Sequence, residues 1–209
     1  MREEAPAGFR LVRLKILPIK KNRFLQTTAQ AFLGIISWKI DVNYPPTEKY
    51  VLIGAPHTSN WDLLFALLLA FGAGIPIHWV GKESLFRWPL GGVLRLLGGI
   101  PVNRRERTDF VSQVVNLFNR LERLVIAIAP EGTRNKVDYW KTGFYYIALQ
   151  AQVPIALGYV DYGTRTVGIG PAFYPSGDLQ ADFSQIQQFY ASKRGKYIHK
   201  HSQIQLRPG

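Results

Sequence analysis

Three short clusters in this chain hold side chains able to do chemistry. The first is His57-Thr58-Ser59-Asn60-Trp61-Asp62. Its carboxylate can accept a hydrogen bond from one ring nitrogen of the histidine and so fix the tautomer. The other nitrogen is then left to take a proton from a hydroxyl. Ser59 or Asn60 can cap a helix that starts there, and an acid such as Asp62 suits the positive end of that helix. The second cluster is Pro130-Glu131-Gly132-Thr133-Arg134. Its glycine lets backbone approach a ligand, and its arginine offers a two-pronged grip on phosphate. Its glutamate can hold the arginine or accept from a hydroxyl. The third is Gly98-Gly99-Ile100-Pro101-Val102-Asn103-Arg104, followed by Arg105 and Arg107, a basic run suited to phosphate. Each cluster alone also fits a plainer role: a strand-end turn beside a helix start, a turn with an ion pair, or a solvated charge run.

Chemistry of this kind needs a scaffold that brings the clusters to one place. Runs 50–55, 77–80, 100–102, 124–129, 155–160 and 166–169 are apolar and short, and read as strands. Stretches 61–71, 84–97, 108–123, 142–150 and 179–193 read as helices; in 108–123 the apolar positions Phe110, Val114, Leu117, Phe118 and Leu121 fall three and four apart. Strands alternating with helices predict an α/β fold, with a largely parallel sheet flanked by helices. Ligands of such sheets bind beyond the carboxyl ends of the strands. The first cluster follows the strand 50–55, and the second follows 124–129.

The 209 residues divide into a basic, apolar helical segment, 1–42, and one larger domain, 43–209. With 26 Lys and Arg against 14 Asp and Glu the net charge is +12, which draws the protein to nucleic acid, acidic headgroups or phosphorylated substrates. Stretch 24–38 carries no charge and follows a basic flank, the pattern of a short helix lying in a membrane interface. It equally suits a helix packed on the core. Neither it nor the glycine-broken stretch 63–80 predicts a transmembrane helix, and no signal peptide is evident. The chain has no cysteine, which excludes disulfides, Cys-ligated zinc and an acyl-cysteine intermediate. A nucleic-acid-binding protein is the reading from a different class, suggested by the charge and the basic tail 193–201. No helix-turn-helix, RNP or zinc pattern supports it.

The order of these clusters resembles the glycerolipid acyltransferase family, whose best-known members acylate lysophosphatidate to phosphatidate. The resemblance rests on His57-x4-Asp62, then Gly99-Ile100-Pro101-Val102-Asn103-Arg104, then Pro130-Glu131-Gly132-Thr133-Arg134, about 45 and 30 residues apart. Lys141-Thr142-Gly143 and Ala148 to Ile155 look like the stretch leading to a fourth motif. The resemblance implies that His57 is the general base on an acceptor hydroxyl and that Asp62 orients it. It implies that Arg104, Glu131, Gly132, Thr133 and Arg134, with Lys82, hold the acceptor, and that Pro154 lies in the wall near the acyl chain. It further implies direct transfer from acyl-CoA or acyl-carrier protein, with no metal or cofactor, at the cytoplasmic face of an anionic membrane. The expected acceptor is 1-acylglycerol-3-phosphate, with another hydroxylated lipid as the alternative. A backbone N–H among residues 57–62 is the expected oxyanion donor. Three positions depart from the family's pattern: Pro56 stands where Asn is usual, Leu157 where a proline is common, and Phe144-Tyr145-Tyr146 where small residues are.

Overall fold

The computed structural model describes residues 22–102 and 107–208. The basic segment through residue 21 and the expected ligand Arg104 lie outside the described residues. Helix α1, Arg23–Ile35, starts where the Asn22 side chain accepts from the N–H groups of Phe24 and Leu25. Strands β1 (Lys39–Val42), β2 (Lys49–Ala55), β3 (Ile77–Lys82), β4 (Gly99–Val102), β5 (Leu124–Ile128), β6 (Ile155–Asp161) and β7 (Thr166–Phe173) form one sheet. Its order is β1-β7-β6-β2-β5-β3-β4. The five strands from β6 to β4 run parallel, whereas β7 returns antiparallel to β6 with β1 parallel beside it. The expected α/β architecture is therefore present.

Helices cover both faces, which is why the central strands read as unbroken apolar runs. On one face Val51, Ile53, Ile126, Ile155 and Leu157 pack with residues of α4 (Arg107–Arg120), α5 (Gly143–Ala151) and α6 (Leu179–Tyr190), including the fully buried Phe118, Ile147 and Ile186. On the other face Tyr50, Leu52, Val125 and Ala156 pack with Leu33 of α1 and with Phe65 and Leu69 of α2, Trp61–Ala73. Helix α1 is tied to α2 as well as packed on it, since Gln30 donates to the carbonyl of Gly72 at 2.8 Å.

The structure departs from the sequence reading in local ways. Residues 39–42, placed with the N-terminal segment, are a sheet strand; as an edge strand β1 alternates exposed Lys39 and Asp41 with half-buried Ile40 and Val42. The expected helix 84–97 is a 3₁₀ turn, Glu83–Phe86, followed by the short helix α3, Gly91–Leu96. Pro89 explains the break, because a proline there has no N–H and disfavours a helical residue before it. Helices α4 and α6 each stop three residues short of the expected end, and β7 runs four residues further.

One region stays largely uncovered. Phe86 enters the core and stacks on Trp79, but Leu85, Trp88, Leu90, Val93 and Leu96 are exposed, Trp88 to 94%. Trp79 lies two residues after Ile77, so by strand alternation this segment sits on the same sheet face as α1 and α2. Helix α1 also exposes Phe24, Phe32 and Ile35. Among the described residues no helix is long and apolar enough to cross a membrane.

Candidate active site

His57 leaves the carboxyl end of β2, and Asp62 occupies the first turn of α2. The imidazole Nδ1 lies 3.2 Å from Asp62 Oδ2, with the carboxylate buried to 7% exposure and the imidazole left at 27%. Thr58 and Ser59 donate their N–H groups to the same carboxylate oxygen at 2.9 and 2.8 Å, and the Tyr162 hydroxyl donates to Oδ1 at 2.9 Å. A buried carboxylate is costly unless its lone pairs are used, and here four donors use them. The result is an acid fixed at the helix start and an imidazole held through Nδ1, an arrangement that leaves Nε2 able to take a proton. Burial, and next to it the charge of Asp62, pushes the Tyr162 hydroxyl far above its ordinary range, so it remains a donor. Tyr162 is itself held edge-on by the rings of Trp38 and Phe65, which stack on each other.

Glu131 follows β5, the strand beside β2, and is 4% exposed. Its Oε1 accepts the N–H of His57 at 3.0 Å, while Oε2 has no hydrogen-bond partner among the described residues. Burial pushes its carboxyl above the usual carboxylate range, against the opposing pull of the His57 N–H. Glu131 therefore acts on the backbone of the histidine. Gly132 takes a φ of 66°, a left-handed turn that favours glycine.

Beside this pair opens a cleft of about 390 Å³ lined by Thr58, Ser59, Asn60, Trp61, Thr133, Arg134, Asn135, Tyr197 and Lys200. Arg134 donates to the Asn60 side chain and so joins the two motif loops. Asn60 stands at the N-cap of α2 with no side-chain capping bond, and Ser59 Oγ accepts from Trp61 N–H at 3.2 Å. The expected residues His57, Asp62, Glu131, Gly132, Thr133 and Arg134 thus gather at one end of the sheet. Lys82 reaches the same end, but two strands away from β2 and exposed. Pro154 does not join them. It precedes β6 at the level of Tyr50, where its carbonyl accepts from Val51, so it lies about 20 Å from the histidine, at the opposite end of the sheet. The expected oxyanion donor is also narrowed: the N–H groups of His57, Thr58, Ser59, Trp61 and Asp62 already have acceptors inside the protein.

Sequence reasoning missed Tyr162, Tyr197 and Lys200. Tyr162 was within reach, since a residue just past a strand parallel to β2 must lie at the same sheet end. The other two come from the basic tail, whose path no periodicity predicts.

The sequence profile of the acyltransferase family matches residues 39–156. The chain belongs to the acyltransferase family. Its relatives in that family include human 1-acyl-sn-glycerol-3-phosphate acyltransferase alpha, 31% identical over 123 residues, which are 54% of this chain and 41% of that enzyme. Human 1-acyl-sn-glycerol-3-phosphate acyltransferase beta is 38% identical over 79 residues, 35% of this chain and 28% of that one. This acyltransferase-family chain thus spans about four-tenths of the length of the alpha enzyme. The fold is shared with the crystal structure of the 1-acyl-sn-glycerophosphate (LPA) acyltransferase PlsC from Thermotoga maritima, at a TM-score of 0.56 and 17% identity, over 83% of this chain and 81% of that one. The family match contains His57, Asp62 and Glu131 to Arg134, and ends before Tyr162, Tyr197 and Lys200.

Proposed function

We propose that this protein transfers a fatty acyl group from a thioester, acyl-CoA or acyl-carrier protein, to the hydroxyl of 1-acylglycerol-3-phosphate, giving phosphatidate. The observation that carries the reading is the closed hydrogen-bond set on Asp62, which leaves His57 Nε2 as the uncommitted nitrogen of a part-exposed imidazole. In this reading Nε2 takes the proton as the hydroxyl oxygen attacks the thioester carbon. The tetrahedral intermediate then collapses, the C–S bond breaks, and the imidazolium returns the proton to the thiolate. The arrangement resembles two members of a serine triad, with the acceptor hydroxyl in the place of the serine. For the oxyanion, Asn60 N–H is the group in the 57–62 loop with no internal acceptor among the described residues. Thr133 and Arg134 in the cleft wall support a phosphate-bearing acceptor, and the relatives named for that acceptor support it further.

The reaction is tested by thiol release from palmitoyl-CoA with and without the lysolipid, in wild type and His57→Ala. The protein has no cysteine to contribute background. Acceptor-dependent release that is lost in the variant is the expected result; equal release from both proteins overturns the reading.

The exposed apolar side chains of α1 and of the segment 83–97, on one sheet face, support a docked membrane surface. Trp and Leu at an interface beside the exposed cations Lys82, Arg87 and Arg95 suit anionic lipid, as on the cytoplasmic leaflet.

A further inference from the structure

The chain's last part crosses the candidate site as a strap. At its start Arg194 N–H donates to Asp161 Oδ1 at 3.2 Å, and the Arg194 carbonyl accepts from Tyr162 N–H at 2.8 Å. Gly195 then lies so close to Thr58 that a Cβ there would stand 2.7 Å from the threonine hydroxyl, so a side chain would force Thr58 or the strap to shift. The Gly195 N–H donates to His201 Nε2 at 2.7 Å, closing residues 195–201 into a loop, and Tyr197 N–H donates to Thr58 Oγ1 at 3.3 Å. Further on, Ser202 Oγ accepts from Val137 N–H and the Gln205 carbonyl from Trp140 N–H. The strap therefore bridges the His57 loop and the loop that follows Arg134.

Its position puts Tyr197 and Lys200 into the cleft wall with Arg134. Of the nine lining residues among those described, two are cations and none is an acid, while Ser, Thr and Asn hydroxyls and amides supply further donors. Lys200 Nζ stands over the Tyr197 ring at 5.2 Å and makes no ion pair among the described residues. Such a lining suits an anion of more than one charge. A phosphate monoester carries between one and a half and two negative charges near neutral pH, more than Arg134 alone offsets.

We propose that Lys200, presented by the strap, is the second cation among the described residues of a phosphomonoester site that Arg134 begins. The inference rests on the acyl-transfer reading for its occupant. Two substrates of that reaction carry such a group: the acceptor at its head, and coenzyme A on its ribose. The cleft touches the loop that holds His57 but not His57 itself, as suits the non-reacting end of a bound substrate.

The test uses the full chain as wild type, Lys200→Met and Lys200→Arg, with steady-state kinetics on 1-acylglycerol-3-phosphate, on monoacylglycerol and on palmitoyl-CoA. A second readout is Trp fluorescence during titration with sn-glycerol 3-phosphate, because Trp61 lines the cleft. Lys200→Met is expected to raise the KM for lysophosphatidate about tenfold, leave kcat within twofold, and leave monoacylglycerol and palmitoyl-CoA unmoved, with Lys200→Arg recovering most of the loss. A rise confined to the KM for palmitoyl-CoA places the donor's phosphate in the site instead. Unchanged KM values for all three substrates in an active Lys200→Met enzyme overturn the inference while leaving acyl transfer intact. If no acyl transfer occurs but glycerol 3-phosphate binds wild type and fails to bind Lys200→Met, the site stands and the reaction falls. Equal binding to both proteins refutes the site.

Discussion

The loop 57–62 and the segment 83–97 lie at the ends of neighbouring crossovers and solve opposite problems. In the first, almost every polar group has a partner: five N–H groups are bonded, and Asp62 collects four donors. In the second, Phe86 is the one large side chain driven into the core, and Leu85, Trp88, Leu90, Val93 and Leu96 face outward. Fixing an imidazole requires that its supports be satisfied internally, since each free donor would offer another geometry. The second segment is the reverse, with apolar groups left unmet by the rest of the described chain, as in a surface that meets a partner. One loop is held by internal bonds, and the other leaves its apolar groups facing outward.

Substitutions can break either half of that contrast, and the largest effect is expected at the pair. His57→Ala and Asp62→Asn should each lower kcat about 10³-fold in the thiol-release assay, with the fold retained by circular dichroism. Removing the support of the histidine backbone should come next: Glu131→Ala is expected to cost about 100-fold, and Glu131→Gln, which keeps a carbonyl facing His57 N–H, less than tenfold. The same pair reports on charge. Burial raises the Glu131 carboxyl in the folded state, so folding binds an extra proton between the unfolded value and the folded one, and stability falls as pH rises through that window. Urea unfolding at pH 5 and pH 8 should show this fall in wild type and a flatter profile in Glu131→Gln. Tyr162→Phe, which removes one donor of four, is expected to cost about tenfold in kcat/KM. At the other region, Trp88→Ser with Leu90→Ser should leave the melting temperature within about 2 °C and kcat on detergent-dispersed substrate unchanged. Binding to vesicles containing phosphatidylserine should weaken about tenfold in sedimentation; full retention of binding would remove the segment from the docking surface.

The strands and helices of the doubly covered sheet were legible because burial on both faces leaves unbroken apolar runs, as in 124–128 and 155–161. So was the gathering of His57, Asp62 and the Glu131–Arg134 loop at one end of the sheet, because strands β2 and β5 are neighbours and end together. Strand β1 was not legible: an edge strand of four residues pairs on one side only, and its alternation is too short to stand out. Nor was the role of Glu131, expected to meet the acceptor and found under the histidine, since no spacing tells which way a loop side chain turns. Pro154, expected in the wall near the acyl chain, precedes β6. It lies close to the fourth-motif strand in sequence, but at the end of the sheet away from the chemistry. The basic tail suggested nucleic acid by its charge; Tyr197 within it bonds Thr58 beside the cleft, and Ser202 and Gln205 just after it bond Val137 and Trp140.

The Tyr162 bond to Asp62 spans 100 residues and the Tyr197 bond to Thr58 spans 139. Chains emerge from the ribosome N-terminus first. The histidine and its acid are therefore delivered 100 residues before the hydroxyl that completes the carboxylate's shell, and longer still before the strap that walls the cleft. A nascent chain that has delivered the whole family-matched region still lacks both. The order of translation therefore leaves the carboxylate's shell and the cleft wall incomplete until Tyr162 and the strap have been made.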